Sequence, residues 1–233
     1  MRTASAARGN LKSAAPPAAL SNDNSKSPDR PPDTRQRIMD VAQAAVLEKG
    51  FSATSIEEII AAVGITKSGF FYHFADKGEL ARAMLERHVE DERVLFDDLF
   101  KRADELSEDP LHSFLIALKL FAEMFEDLPQ SHPGCLTAAY CYQDRLFDRQ
   151  VRDLNAGSVL AWRARFRERL ERIAQKHPPS MPVDLSDVAD MLSALADGGI
   201  ILSKVLNEPK ALPRQILLYR EFVRSLFTGV AAA

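Results

Sequence analysis

The chain has 233 residues, 46% hydrophobic and 27% charged, a balance that supports a sizeable buried core and excludes a chain that stays unfolded throughout. Its 30 Lys and Arg against 33 Asp and Glu leave a formal charge of -3, so no global field draws it to a polyanion and any nucleic-acid contact must come from local placement. No apolar run reaches the roughly 18 residues of a membrane span and the N-terminus has no apolar signal core; with only Cys135 and Cys141, the chain is expected in a reducing cytoplasm, with no membrane partner.

Residues 1–33 are rich in Ala, Ser, Pro and Asn and are expected to form a disordered arm, because they offer too little apolar surface to order themselves. From Thr34 the pattern becomes helical. Ile38, Val41, Ala42 and Ala45 recur at three- and four-residue steps, and Gly50 supplies a stop. Ser55 with Glu58 reads as a reciprocal capping box opening a second helix, whose stripe is Ile56, Ile59, Ile60 and Val63 and whose end is Gly64. A third helix opens at Thr66 and runs to about Phe74, with Phe70 and Phe74 sharing a face. Asp76 and Glu79 repeat the capping pattern before a fourth helix carrying Leu80, Met84 and Leu85. Only a few residues separate the second and third helices, which is helix-turn-helix grammar.

Beyond residue 90 no strand-like alternation appears, and prolines punctuate long helical stretches. Helices are expected near 110–126, 135–146, 149–176, 185–207 and 213–228. The fold class is therefore all-α: an N-terminal three-helix helix-turn-helix domain at 34–80 (motif about 55–74), then a larger helical domain at 81–233.

Residues 54–77 read T-S-I-E-E-I-I-A-A-V-G-I-T-K-S-G-F-F-Y-H-F-A-D-K. This stretch resembles the TetR family of transcriptional regulators: a T-S start, a Gly turn, T-K followed by small residues, an aromatic ending and a following Lys. The resemblance covers residues 34 to about 92. It implies a homodimeric repressor that leaves a palindromic double-stranded DNA operator on a small-molecule or electrophile signal. It places Thr66, Lys67 and Ser68 against base edges and nearby phosphates, Phe71, Tyr72 and His73 along the groove wall, and Lys77 on phosphate. Ser55 either bonds phosphate or only caps its helix. Gly69, costly by roughly 1 kcal/mol inside a helix, either lets the backbone approach DNA or makes room for a neighbouring helix. The family usually has Tyr where this chain has Phe71, which removes one phosphate-binding hydroxyl.

In this family the last two helices pair with their copies, and here they carry Val188, Met191, Leu192, Leu195, Gly199, Leu202 and Leu206, then Ile216, Val223, Leu226 and Phe227. Phe121, Met124, Phe125, Tyr140, Trp162 and Phe166 are candidates for an effector cavity, or else plain core. Arg163, Arg165, Arg167, Arg169 and Arg172 read as a solvated face. Cys135, just after Pro133 and Gly134, belongs to the same candidate effector region and is expected at a helix N-terminus, where the dipole favours a reactive thiolate. Neither a nucleophile elbow, a phosphate-binding glycine loop nor a metal-ligand cluster appears. No catalytic activity, metal or cofactor is expected.

Overall fold

The computed structural model describes residues 33–126, 128 and 131–229; apart from Asp33, the arm expected at 1–33 lies outside them. Among these residues there are nine α-helices and no strand. The first three, α1 (Thr34–Lys49), α2 (Ile56–Val63) and α3 (Lys67–His73), form the N-terminal bundle. The fourth, α4 (Lys77–Leu106), is 30 residues long, or about 45 Å at the helical rise. It is followed by α5 (Pro110–Glu126), α6 (Leu136–Cys141), a 3-10 turn at Asp144–Leu146, α7 (Arg149–Lys176), α8 (Leu185–Val205) and α9 (Ala211–Thr228).

Two apolar cores form, and α4 runs through both. Its first turns bury Leu80, Ala81, Met84 and Leu85 against Ile38, Ile59, Phe70 and Phe74, while its last turns bury Phe96, Leu99 and Phe100 against α5, α7, α8 and α9. The boundary expected at residue 80 therefore falls inside one continuous helix. The first core also takes in Leu136, Tyr140, Phe147 and Val151, so α6 and the start of α7 pack on the N-terminal bundle although they are far away in sequence.

Caps locate the helix starts. Asp76 Oδ1 accepts from Glu79 N at 2.8 Å and Glu79 Oε2 accepts from Ala75 N at 2.6 Å, a complete reciprocal box. The box expected at Ser55 is one-sided: Ser55 Oγ accepts from Glu58 N at 3.1 Å, but Glu58 pairs with Lys49 at 2.5 Å instead of returning to the backbone. The charged partner from α1 wins, since a charge-assisted bond is stronger than one to a neutral amide.

The arginines of α7 are not merely a solvated face. Arg163 makes a bidentate bond to Asp190 on α8, and Arg165 and Arg169 each reach α4, at Asp97 and Asp104, all at 2.7 Å; Arg167 stays within its own helix at Glu171. Three of the five thus pin α7 to its neighbours. At Gly199 the α8–α9 pair closes tightly: a Cβ there would lie 2.9 Å from the Leu212 backbone.

Candidate nucleic-acid interface

The turn between α2 and α3 is built by Gly64, whose φ of 74° is left-handed, with its N–H donating to Ile60 O; a residue without Cβ adopts this conformation at no steric cost. Thr66 then caps α3, its Oγ1 accepting from Gly69 N at 3.1 Å and lying 3.0 Å from Ser68 Oγ. Phe70 and Phe74 are buried in the bundle, as their spacing predicts, and lock the helix in place. Lys67, Ser68, Phe71 and Tyr72 consequently face outward. Tyr72 is 85% exposed and Phe71 43%, so both rings are open to a partner. His73 is half-buried with its ring edge-on to Tyr72 at 5.0 Å. Gly69 makes room for no neighbouring helix, since an added Cβ would meet only Thr66 Oγ1 and Ile65 Cβ.

Most cations of this bundle are used internally. Arg37 donates to Val63 O at 2.6 Å, closing the end of α2; Arg35 lies over the Phe74 ring; Arg87 ties α4 to Gln36, Asp40 and Gln43 of α1. Lys67 stands apart. Its contact with Glu57 is 3.5 Å long between side chains 68% and 72% exposed, a pairing weak enough for a phosphate to displace.

Lys77 differs from the expectation of an outward phosphate contact. Its ammonium donates to Phe51 O at 2.5 Å and sits 4.1 Å from the Phe51 ring centroid, and burial lowers its pKa. It ties the start of α4 to the α1–α2 turn. Ser55 caps α2 with its hydroxyl still exposed, so the same group can cap and face solvent.

The residues considered for an effector cavity divide between the two cores. Phe121 and Phe166 are buried in the second, with Met124, Phe125 and Trp162 against it. The Phe96 ring lies 5.1 Å from Phe121 and 5.2 Å from Phe166, and Phe100 lies 5.6 Å from Phe166. Tyr140 belongs to the first core. Its ring stacks on Phe147 at 4.4 Å and its hydroxyl donates to Ala81 O at 2.7 Å. Cys135 does cap α6, its Sγ accepting from Ala138 N at 3.5 Å. Burial, reinforced by the negative charge of Asp197, nevertheless pushes the thiol up to about 12, the reverse of the activated thiolate expected from the dipole alone.

Sequence reasoning missed the attachment of α6. Gln143 Oε1 accepts from Ser52 N at 2.9 Å across 91 positions, and with Tyr140 on Ala81 it fixes α6 to the N-terminal bundle. A lone Tyr and a lone Gln carry no signal at such separations.

Residues 38–84 match the family described as bacterial regulatory proteins, tetR family. The probable HTH-type transcriptional regulator ArpR of Pseudomonas putida is 31% identical over 96 residues, 41% of this chain and 43% of that protein. HTH-type regulator AcrR of Shigella flexneri is 44% identical over 48 residues, 21% of this chain and 22% of that protein. The chain spans less than half the length of these curated relatives. A TetR-family regulator structure from Agrobacterium tumefaciens superposes with a TM-score of 0.69 at 16% identity, covering 84% of this chain and 98% of that one. The fold is thus shared over 84% of this chain, and the family match lies within residues 38–84. No helix among the described residues is long and apolar enough to cross a membrane.

Proposed function

We propose that this chain, whose residues 38–84 are a TetR-family N-terminal domain and whose remaining helices follow that family's fold, is a sequence-specific DNA-binding transcriptional regulator of the cytoplasm, acting as a homodimeric repressor released from a palindromic operator by a small molecule. The observation that carries the reading is the outward row Thr66, Lys67, Ser68, Phe71 and Tyr72 on a helix whose other face, Phe70 and Phe74, is locked into the bundle. A short helix held this way presents its first turns to the major groove. Lys67 supplies charge, Thr66 and Ser68 supply hydroxyls, Phe71 supplies apolar contact for a thymine methyl, and Tyr72 supplies a phosphate or groove-wall contact. Exposed Ser55 adds a hydroxyl at the start of α2, Gly69 permits close approach, and His73 lies at the edge of the surface.

In this reading Lys77 acts indirectly, by holding the α1–α2 turn against α4. One subunit then offers few free cations, and two copies on half-sites about one helical turn apart, or a multiple of it, supply the affinity. The sensor part would signal through α4 and α6, since both are packed into the N-terminal core: a ligand that shifts either one moves the recognition helix relative to its dimer mate. An electrophile signal through Cys135 is not supported, because its thiol is held protonated.

The test is a gel shift on operator DNA recovered by selection from random duplexes. Lys67→Ala and Tyr72→Ala should each lose specific binding with an unchanged melting temperature and dimer mass. Full affinity in both variants would remove the recognition surface from α3.

A further inference from the structure

The positive charge of the N-terminal bundle is mostly held within the fold. Residues 34–80 carry Arg35, Arg37, Lys49, Lys67 and Lys77 against Asp40, Glu48, Glu57, Glu58, Asp76 and Glu79. Arg37, Lys49 and Lys77 are engaged at 2.5–2.6 Å by Val63 O, the Glu58 carboxylate and Phe51 O. Arg35, whose guanidinium lies over the Phe74 ring, and Lys67, with its long contact to Glu57, are the two that can turn to a phosphate. Phosphate neutralisation supplies essentially all of the sequence-independent part of DNA affinity. A slightly acidic bundle with two such cations contributes little of it.

The charge that the bundle lacks stands just before α1. Residues 1–32 carry Arg2, Arg8, Lys12, Lys26 and Arg30 against Asp23 and Asp29, and the first acidic residue of the chain is Asp23. The chain as a whole is nevertheless acidic, with a formal charge of -3, so this arm is a basic segment joined to an acidic remainder. A basic arm ahead of a folded domain is a recurrent source of nucleic-acid contacts.

The point at which the chain enters the bundle decides what the arm can reach. Asp33 opens α1, its carbonyl accepting from Arg37 N at 3.1 Å. Side chains of this first turn touch both parts of the helix-turn-helix. Arg37 Nη2 donates to the carbonyl of Val63, next to the Gly64 turn, and Arg35 Cζ lies 4.9 Å from the ring centroid of Phe74, the residue that ends α3. The arm therefore joins the bundle beside the recognition helix. At no more than about 3.6 Å per residue, Arg30 lies within about 11 Å of Asp33 and Lys26 within about 25 Å. Both distances fall short of the roughly 34–36 Å of one duplex turn, so these cations can stand on phosphates next to the half-site while Lys67 and Tyr72 face the groove.

We propose that the arm is a second DNA-binding element, in which Arg30 and Lys26, followed by Lys12, Arg8 and Arg2, pair with backbone phosphates of the duplex flanking each half-site. The proposal rests on the DNA-binding reading above and adds the source of the charge that reading needs. Phosphate contacts carry no base information. The arm thus raises affinity for every duplex alike, and α3 keeps the choice of sequence.

The test compares the wild-type full chain with one carrying Arg2→Gln, Arg8→Gln, Lys12→Gln, Lys26→Gln and Arg30→Gln, by titration of two labelled duplexes of about 40 base pairs, the selected operator and a scrambled sequence, across the roughly 50–200 mM salt range over which phosphate contacts are read out. The variant should bind both duplexes more weakly by a similar factor, about tenfold or more at the lowest salt. Its slope of log affinity against log salt should be shallower by about 2 units or more, the value for one lost phosphate contact per arm in a dimer, with an unchanged melting temperature. Trimming the operator to the edges of its half-sites should weaken the wild type and leave the variant as it was, because the flanking phosphates are then gone. Equal affinity and salt slope in the two proteins would overturn the proposal. So would tighter binding by the variant, which would put the arm on the acidic helices of its own chain, or a loss confined to the operator, which would make the arm a reader of bases. Wild-type protein that binds every duplex through the arm but prefers no sequence would count against the regulator reading alone.

Discussion

At the residue scale, identity mattered less than what each side chain was already bonded to. Lys67 and Lys77 are ten positions apart on the same motif, yet Lys67 is open to solvent while Lys77 is turned onto Phe51. Lys77→Ala should therefore lower stability by about 1–2 kcal/mol through the lost cation–π contact and hydrogen bond, measured by urea unfolding; an unchanged midpoint would return Lys77 to a purely DNA-facing role. The cysteines divide in the same way. Cys141 is exposed and Cys135 is buried with a thiol raised to about 12. Raising the pKa leaves almost no thiolate at neutral pH, since each unit above the ambient pH cuts it about tenfold. Iodoacetamide at neutral pH should thus modify Cys141 first and Cys135 only on denaturation, read by peptide mass spectrometry. Rapid alkylation of Cys135 in the folded protein would contradict its placement.

At the scale of elements, the capping residues and helical periodicity placed helix ends within a few residues, because both act through local backbone donors and one-turn neighbours. The stretch expected as one helix over 135–146 is instead α6, a turn, and a 3-10 segment, and that break lets Gln143 reach Ser52. The stripe of α8 proved to be two faces. Val188, Leu192 and Gly199 are buried within the subunit, whereas Ile201, Leu202, Val205 and Leu206 are exposed. Gly199→Ala should force α8 and α9 apart, because the new methyl meets backbone at Leu212 and not a side chain that could swing away. A loss of about 1–3 kcal/mol is expected for such overpacking. Equal thermal stability of the variant and wild type would mean that the helices can separate freely.

At the scale of the whole molecule, the exposed apolar residues of α8, together with Leu218 at 58% exposure on α9, are the surface on which a second copy would sit. Val205, 76% exposed, is the discriminating position: Val205→Arg should give a folded monomer in sedimentation at micromolar concentration, since an unpaired charge is strongly disfavoured in an apolar interface. A variant that stays dimeric would place the interface elsewhere. Leu195→Arg would be a poor substitute, because Leu195 packs against its own subunit's core and the change would disturb folding and assembly together.

The sequence by itself determined the helical class, the helix-turn-helix at 55–74 with its Gly64 turn and Thr66 cap, and the inward Phe70 and Phe74, because these depend on neighbours within about one helical turn. Only the tertiary structure decided which cations are engaged internally, that α6 belongs to the N-terminal core, and that three arginines of α7 reach across to α4 and α8. Those outcomes depend on pairings across tens of residues and on desolvation. Charge and hydrogen-bonding capacity are visible in a residue's type, but the partner that satisfies it, and the water that burial removes, are set by the packing of the whole chain.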